Sequence, residues 1–318
     1  MEIDVFNGDA DGICALVQLR LDRPAQTQLV TGVKRDIELL KRVEVNDGDR
    51  VTVLDISLAK NRPYLEQILA RGAGVFYVDH HQSGEIPHHP GLQTIIDTDA
   101  ATCTSLLVNR YLKGKYQAWA VAAAFGDNLH DSALKAASAL DLSSDEIEQL
   151  KDLGICINYN SYGSSLDDLH FAPDRLYNEL CPFASPFDFI RENAGIHQQL
   201  LDGYAADMAE AAKISPEFHN EQVAVYILPD ASWARRVSGV FGNHLANQKP
   251  ERAHAVISHN DKGGFLVSVR APLTNKTGAD ELCSLFATGG GRKAAAGINH
   301  LPQAELGRFI QALAEKYA

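Results

Sequence analysis

Short apolar runs alternate with longer amphipathic segments through the first hundred residues. The apolar runs predict strands at residues 2–7, 28–33, 50–56, 74–78 and 93–97. Apolar positions at helical spacing predict a helix over residues 12–22, and Pro63 suits the first turn of a second helix. This alternation is typical of an α/β fold in which a parallel sheet carries helices on both faces.

Helical patterns dominate the middle of the chain. They cover residues 102–153, with an almost all-alanine helix at 118–124 and a capping box that begins at Ser143. Residues 159–186 are rich in Ser, Asp, Asn, Gly and Pro and predict an irregular connection. Residues 186–213 then predict one long helix.

The pattern changes after residue 215, where strands and helices alternate with turns. We predict strands at residues 222–228, 254–259 and 265–270, and helices at residues 232–248 and 303–317. A hairpin turn is predicted at residues 260–264 and a glycine-rich loop at residues 289–291. The sequence therefore predicts two domains, residues 1–185 and 216–318, joined by a connecting helix over residues 186–215.

Composition places the chain among ordinary globular proteins. Apolar residues make up 45% and charged residues 22%, and no apolar run approaches the roughly 20 residues of a membrane helix. The acidic amino terminus is unlike a signal peptide. The five cysteines are odd in number and have no CxxC spacing, which favours reduced thiols. We therefore expect a cytoplasmic protein without membrane contact.

The formal net charge of −12 narrows the class of ligand. Proteins that grip long nucleic acids usually carry a basic stripe, so this charge argues against a long polymer as partner. A small phosphorylated ligand held by a few arginines and metal ions is compatible with it, because bound metals reverse the local field.

Carboxylates and histidines follow the predicted strand or helix ends at four places in the first domain. They are Asp9, Asp11, Asp55, Asp79, His80, His81 and Asp127. The carboxyl ends of parallel strands meet at one rim of the sheet, so we expect these side chains to converge. Converging carboxylates repel one another unless a cation lies among them. Oxygen ligands with imidazole suit manganese or magnesium, and two such ions can activate water for phosphoryl displacement.

Simpler interpretations exist for each segment taken alone. Asp9 to Gly12 is compatible with a turn that caps a helix, and Asp55 with another cap. An adjacent histidine pair is often a surface accident. The order and strand context of the four segments together favour a metal site.

The four segments resemble the motifs of the DHH phosphoesterase superfamily, which is named for Asp-His-His. Residues 289–297 resemble the GGGHxxAAG signature of its DHHA1 domain, so the match extends from Asp9 to Gly297. The resemblance implies a Rossmann-like DHH domain followed by a smaller α/β DHHA1 domain, with the active site in the cleft between them.

The resemblance also implies roles for individual residues. It assigns metal binding to two overlapping groups, Asp9 with Asp55, and Asp11 with Asp55, His80 and Asp127. Asp79 would orient a histidine, and His81 would contact the scissile phosphate or protonate the leaving oxygen. Substrate contacts would come from Arg270, Gly289, Gly290, Gly291 and Arg292.

Two positions depart from the family pattern. Val5 stands where many members have a metal-binding histidine, which leaves one or two manganese ions open, with magnesium as an alternative. Arg292 replaces the histidine of GGGHxxAAG. Its guanidinium suits a phosphate or a guanine edge, and the preceding glycines can turn N–H groups toward an anion. The simpler alternative is a glycine-rich turn with a solvated arginine.

The function implied is that of the DHH–DHHA1 nanoRNases: hydrolysis of dinucleotides or very short oligonucleotides, with pGpG as a candidate, to mononucleotides. Two alternatives have the same fold but hydrolyse a different bond: a phosphomonoesterase that acts on 3',5'-bisphosphonucleotides, and a cyclic-dinucleotide phosphodiesterase. A third is a nucleotide-binding sensor without turnover. Whether the chain forms a homodimer is left open.

Overall fold

The computed structural model describes residues 1–260 and 262–318, so Asp261, in the predicted hairpin turn, lies outside the described residues. The chain divides into two compact units, Met1–Tyr204 and Ala205–Ala318.

A five-stranded parallel sheet forms the centre of the first unit. Its strands are β1 Glu2–Phe6, β2 Gln28–Val30, β3 Arg50–Leu54, β4 Gly74–Asp79 and β5 Leu92–Ile96, in the order β2-β1-β3-β4-β5. Phe6 lies beside Leu54, and Leu54 beside Val78, so β1, β3 and β4 end at nearly the same level. The strand order reverses between β1 and β3, which is where ligands bind in open α/β sheets.

Helices cover both faces of this sheet. They are α1 Ala10–Asp22, α2 Leu58–Ala70, α3 Thr104–Tyr111, α4 Gln117–Gly126, α5 His130–Ala137, α6 Ser144–Asn160, α7 Pro173–Leu180, α8 Pro186–Glu192 and α9 Ala194–Ala211. Phe6 packs with residues of α1, α4 and α7 on one face, whereas Val5 packs with residues of α2 on the other. The predicted α/β class is therefore confirmed.

Helix α2 begins earlier than predicted, and Pro63 lies inside it rather than in its first turn. A proline in a helix interior costs about 3 kcal/mol. Burial of Leu58 and the hydrogen bonds that the Asn61 amide donates to the carbonyls of Ile37 and Ser57 offset that cost. These tertiary contacts are not visible in the local sequence pattern.

The region from residue 159 to 213 is also more structured than predicted. Helix α6 continues to Asn160, and α7 occupies part of the predicted irregular connection, with Pro173 in its first turn. The predicted long helix is two helices that meet at Asn193, whose side chain donates a hydrogen bond to Glu179. The capping box is confirmed, since Ser143 and Glu146 exchange hydrogen bonds at the start of α6.

The second unit is a six-stranded mixed sheet with three helices. The strands are β6 Phe218–His219, β7 Val223–Ile227, β8 Ala253–His259, β9 Gly264–Arg270, β10 Gly289–Arg292 and β11 Ala295–Pro302, in the order β10-β11-β9-β8-β7-β6. Strands β7 and β8 run parallel and the other neighbours run antiparallel. Helix α10 Ser232–Gln248 covers one face, and α11 Ala279–Cys283 with α12 Leu306–Lys316 covers the other.

All five cysteines are free thiols and four of them are buried, as the sequence predicted. Among the helices that the structure describes, none has the length and apolar character needed to cross a membrane.

Candidate metal centre

The carboxyl ends of β1, β3 and β4 bring the predicted acidic residues of the first unit together. Asp55 directly follows β3 and has a φ of 59°, in the left-handed region that aspartate tolerates better than most residues. Its backbone N–H donates to the carbonyl of Val78 at 3.1 Å, which fixes this turn to the end of β4. Unusual backbone of this kind is concentrated at functional sites.

Asp11 lies in the first turn of α1 and is held by the start of another helix. The backbone N–H groups of Thr104 and Ser105 each donate to one of its carboxylate oxygens at 2.7 Å. The Thr104 hydroxyl also donates to Asp55 Oδ1 at 3.3 Å. The start of α3 therefore fixes both carboxylates in place, and the positive end of its dipole lies against Asp11.

His80 presents one nitrogen to this cluster. Its Nδ1 lies 3.1 Å from the carbonyl oxygen of Thr102, which can only accept, so Nδ1 carries the proton. The lone pair is then on Nε2, which lies 3.4 Å from Asp55, 3.8 Å from Asp11 and 3.9 Å from Asp127. A histidine fixed in this way through its other nitrogen is typical of a metal ligand.

His81 has a different environment from its neighbour. Its Nδ1 lies 2.7 Å from Asp79 Oδ1, and its side chain is 45% exposed whereas Asp79 is buried. The hydrogen bond that His81 donates to Asp79 raises the pKa of His81 above its ordinary value. This histidine is therefore placed to hold and release a proton at Nε2.

Close packing between α4 and α6 positions Asp127, which directly follows α4. A Cβ atom on Gly154 would lie 1.9 Å from the carbonyl oxygen of Ala122, so only glycine permits this approach. Burial, together with the charges of Asp11 and Asp9, raises the pKa of Asp127 to about 6.

Asp55 is a second carboxyl group of this cluster with a raised pKa. Burial, and then the charges of Asp9, Asp11 and Asp127, raise its pKa well above the ordinary value. The protein therefore holds these carboxylates together against their mutual repulsion, which is the situation that a bound cation relieves.

Asp9 caps α1 and contributes to the cluster at the same time. Its Oδ1 accepts from the backbone N–H groups of Asp11 and Gly12, so the simpler interpretation of a helix cap holds as well. Its Oδ2 accepts from Lys34 Nζ at 2.6 Å. Burial acts to raise the pKa of Asp9, but Lys34 together with the hydrogen bonds from the Gly12 N–H and Asp55 outweighs it, and the pKa lies below its ordinary value.

Lys34 is the residue of this site that the sequence analysis missed. Its ammonium also lies 3.1 Å from Asn158 Oδ1 and 3.7 Å from Asp127 Oδ1. It lies just beyond β2, which neighbours β1 in the parallel sheet. The strand-end argument that selected the acidic residues, applied to residues 28–33, would have found it.

Two groups of side chains in the described residues fit a divalent cation. They are Asp55 with His80 and His81, and Asp11 with His80 and Asp127, with ligand atoms within 4.8 Å of one another in each group. Carboxylate oxygens with an imidazole nitrogen suit manganese or magnesium. Asp9, which the resemblance also gives as a ligand, belongs to neither group.

In the second unit, Arg270 ends β9 as predicted. Its guanidinium donates to Asn243 Oδ1 at 2.6 Å and to the carbonyl of Gly239 at 3.1 Å, both on α10. A third contact joins it to the Ser268 hydroxyl at 2.9 Å. These contacts hold the guanidinium in one orientation.

The three glycines form the edge strand β10 rather than the predicted loop, and Arg292 is exposed at its end beside the turn into β11. A Cβ atom on Gly289 would lie 1.8 Å from the carbonyl oxygen of Cys283, and Gly291 has a φ of 146°. Gly290 differs, because a Cβ there would meet no described atom within 4 Å. The fold of this unit therefore explains the first and third glycines but not Gly290.

No protein-family model matches the chain, and no curated protein matches it, whereas several solved structures do. The DHH domain of a protein described as a member of a ribosomal protein family has a TM-score of 0.67 at 13% identity, covering 99% of this chain and 85% of that one. Exonuclease RecJ bound to manganese has a TM-score of 0.64 at 17% identity, covering 99% and 90%. RecJ from Thermus thermophilus in complex with Mn²⁺ has a TM-score of 0.63 at 17% identity, covering 99% of this chain and 51% of that one. At these identities the likeness shows a shared fold.

Proposed function

We propose that this protein is a metal-dependent phosphodiesterase of the DHH type. One observation carries the proposal: His80 Nε2, freed by the bond of Nδ1 to Thr102, faces the carboxylates of Asp11, Asp55 and Asp127 at the carboxyl rim of a parallel sheet. The fold shared with manganese-bound RecJ structures supports the same conclusion.

The residues around this cluster divide the work of hydrolysis. A divalent cation held by His80 and the carboxylates would lower the pKa of a water molecule and stabilise charge on a phosphate oxygen. Asp79 fixes the Nδ1 proton of His81, which leaves the exposed Nε2 to hold a proton and deliver it to the leaving oxygen. Asp11 is held in place because α3 donates two hydrogen bonds to it.

The substrate in this proposal is a dinucleotide or a very short oligonucleotide, with pGpG as a specific candidate. The net charge of −12 disfavours a long polyanion, which a few fixed cations cannot hold against the field of the whole chain. Arg270, Arg292 and the backbone N–H of Gly290 are the proposed contacts to phosphate or base, and they would bind the end of a short substrate.

Gly290 gives a prediction about substrate binding. Changing Gly290 to alanine leaves the thermal stability unchanged, because its Cβ would meet open space, but it raises KM roughly tenfold, which corresponds to about 1.4 kcal/mol of binding energy. Steady-state kinetics on a dinucleotide and a thermal melt measure both effects. Gly289→Ala is the matched control and lowers the melting temperature, because its Cβ would clash with the carbonyl of Cys283. An unchanged KM in Gly290→Ala would remove this glycine from the substrate site.

The nature of the substrate is tested by products. After chelation and addition of Mn²⁺, we expect release of mononucleotides from dinucleotides at a much higher rate than from a long single strand. Inorganic phosphate released from a 3',5'-bisphosphonucleotide, or linear product from a cyclic dinucleotide, at comparable rates would contradict a dinucleotide phosphodiesterase. If the protein binds a dinucleotide without hydrolysing it, the proposed enzyme function is wrong and the protein is a nucleotide-binding sensor.

A further inference from the structure

The position of Lys34 in the metal centre is fixed from several sides. Its backbone N–H donates to the carbonyl of Ser161 at 3.0 Å, and its carbonyl accepts from the Asn7 amide at 3.5 Å. Its ammonium contacts Asp9 and Asn158 and lies 5.7 Å from the ring centre of Tyr162. The side chain is 30% exposed. A long cationic side chain tied down at both ends is part of the site rather than a solvated surface group.

The carboxylate of Asp9 has little capacity left for a metal ion. Its Oδ1 already accepts two backbone N–H groups of α1, and its Oδ2 accepts from Lys34 at 2.6 Å. A divalent ion bound at Oδ2 would stand beside the ammonium and would be repelled by it. Binding there would therefore require Lys34 to leave.

Val5 adds no ligand to this centre. Val5 is completely buried in β1 and packs with apolar residues such as Val30 and Val53. An isopropyl group cannot ligate a cation, so a second ion would depend on carboxylate oxygens, Asp9 Oδ2 among them.

The side chains around His80 provide ligands for one ion. Both candidate ligand groups contain His80, and neither contains Asp9. Nδ1 of His80 is engaged by the carbonyl of Thr102, so only Nε2 is available, and one nitrogen lone pair binds one cation. The two groups therefore describe a single ion position around Nε2.

We propose that the Lys34 ammonium takes the place of a second divalent ion, so that the chain binds one metal ion at His80 and keeps Lys34 as a permanent cation beside Asp9 and Asp127. This inference rests on the proposed metal centre. It makes Lys34 a positioning residue, because it neutralises Asp9 and supplies a fixed positive charge where a second ion would otherwise be needed.

The number of bound ions tests this directly. Free Mn²⁺ has an EPR spectrum that is lost on binding, so a titration of the metal-free full chain counts ions per chain. We expect one Mn²⁺ in the unaltered chain and two in Lys34→Met, since loss of the ammonium frees Asp9 Oδ2 beside Asp55 and Asp127. Lys34→Arg keeps the charge and is expected to bind one. Lys41→Met, an exposed lysine of the same unit, is the matched control and also binds one.

The outcomes separate this inference from the proposed function. Two ions in the unaltered chain, or one ion in Lys34→Met, would overturn the role of Lys34 while leaving a metal centre in place. Absence of Mn²⁺ binding in the unaltered chain would overturn the metal centre itself. Should Lys34→Met not fold, as judged by circular dichroism, Lys34→Gln removes the charge but keeps a hydrogen-bond donor for Asp9, and the same counts apply to it.

Discussion

Changing Asp55 to asparagine is expected to reduce the rate of dinucleotide hydrolysis roughly 10³-fold. The bound metal ion would stabilise the transition state by several kcal/mol, and each loss of about 1.4 kcal/mol lowers the rate tenfold. Asp55 lies at the centre of the cluster, 3.4 Å from His80 Nε2, and accepts from the Thr104 hydroxyl. Asparagine keeps the shape and this hydrogen bond but removes the charge that a cation needs. Rates under saturating Mn²⁺ measure the effect.

The stability of the same variant distinguishes lost function from lost fold. Because neighbouring carboxylates oppose ionisation of Asp55, the metal-free Asp55→Asn protein is expected to melt at the same or a higher temperature than the unaltered one. Asp141→Asn changes an exposed aspartate of the same unit and leaves the rate unaltered. Full activity in Asp55→Asn would show that the cluster is not the catalytic centre.

The metal-free protein is expected to lose stability as the pH rises from 5 to 7.5. The pKa of Asp127 is raised to about 6 in the folded state, so protonation of Asp127 stabilises the folded protein. This stabilisation is fully present below the pKa that Asp127 has in the unfolded chain, and it is lost as the pH rises through the pKa of the folded state. Asp55 and His81, whose pKa values are also raised, act in the same direction. The pKa of Asp9 is lowered, so the stability that its ionised form adds is already present throughout this pH window and does not change the trend.

The size of this effect follows from Asp127 alone. Raising the pKa of Asp127 from 3.8 to about 6 corresponds to about 3 kcal/mol, of which roughly half falls between pH 5 and 7.5. For a unit of this size the melting temperature should fall by roughly 3–6 °C over that range. Mn²⁺ should restore stability, and more at pH 7.5 than at pH 5, because ligands bind metal in their deprotonated form.

Thermal melts with chelator and with Mn²⁺ measure both trends. Asp127→Asn is the informative comparison, since it removes one titrating group and should reduce the slope of the pH profile of the metal-free protein, leaving the part that arises from Asp55 and His81. A profile with the same slope in this variant would show that the pH dependence arises elsewhere. Equal stabilisation by Mn²⁺ at both pH values would argue against carboxylate ligands with raised pKa values.

The sequence was sufficient for the sheet of the first unit and for most of its acidic rim. Apolar runs identified all five parallel strands, and the rule that such strands end at one rim brought Asp11, Asp55 and His80 together. Lys34 directly follows the predicted strand at residues 28–33, but a lysine is no metal ligand and so does not stand out among the residues at the strand ends. Its meaning depends on β2 lying beside β1, which is a property of the topology.

Other differences arise where tertiary contacts override local signals. The sequence pattern places Pro63 in the first turn of its helix, but Leu58 and Asn61 are buried ahead of it and extend α2. The glycines at 289–291 are typical of a loop, yet pairing with β11 makes them an edge strand. Sequence spacing alone contains neither the contacts that extend α2 nor the strand partner of β10.

Diffraction from crystals soaked in Mn²⁺, recorded where manganese scatters anomalously, tests the central claim most directly. We expect one anomalous peak within coordination distance of His80 Nε2, bounded by carboxylate oxygens of Asp11, Asp55 and Asp127, with Lys34 still on Asp9. No peak at His80 under saturating Mn²⁺, or a peak at a different group of residues, would contradict a metal centre at the carboxyl rim of this sheet.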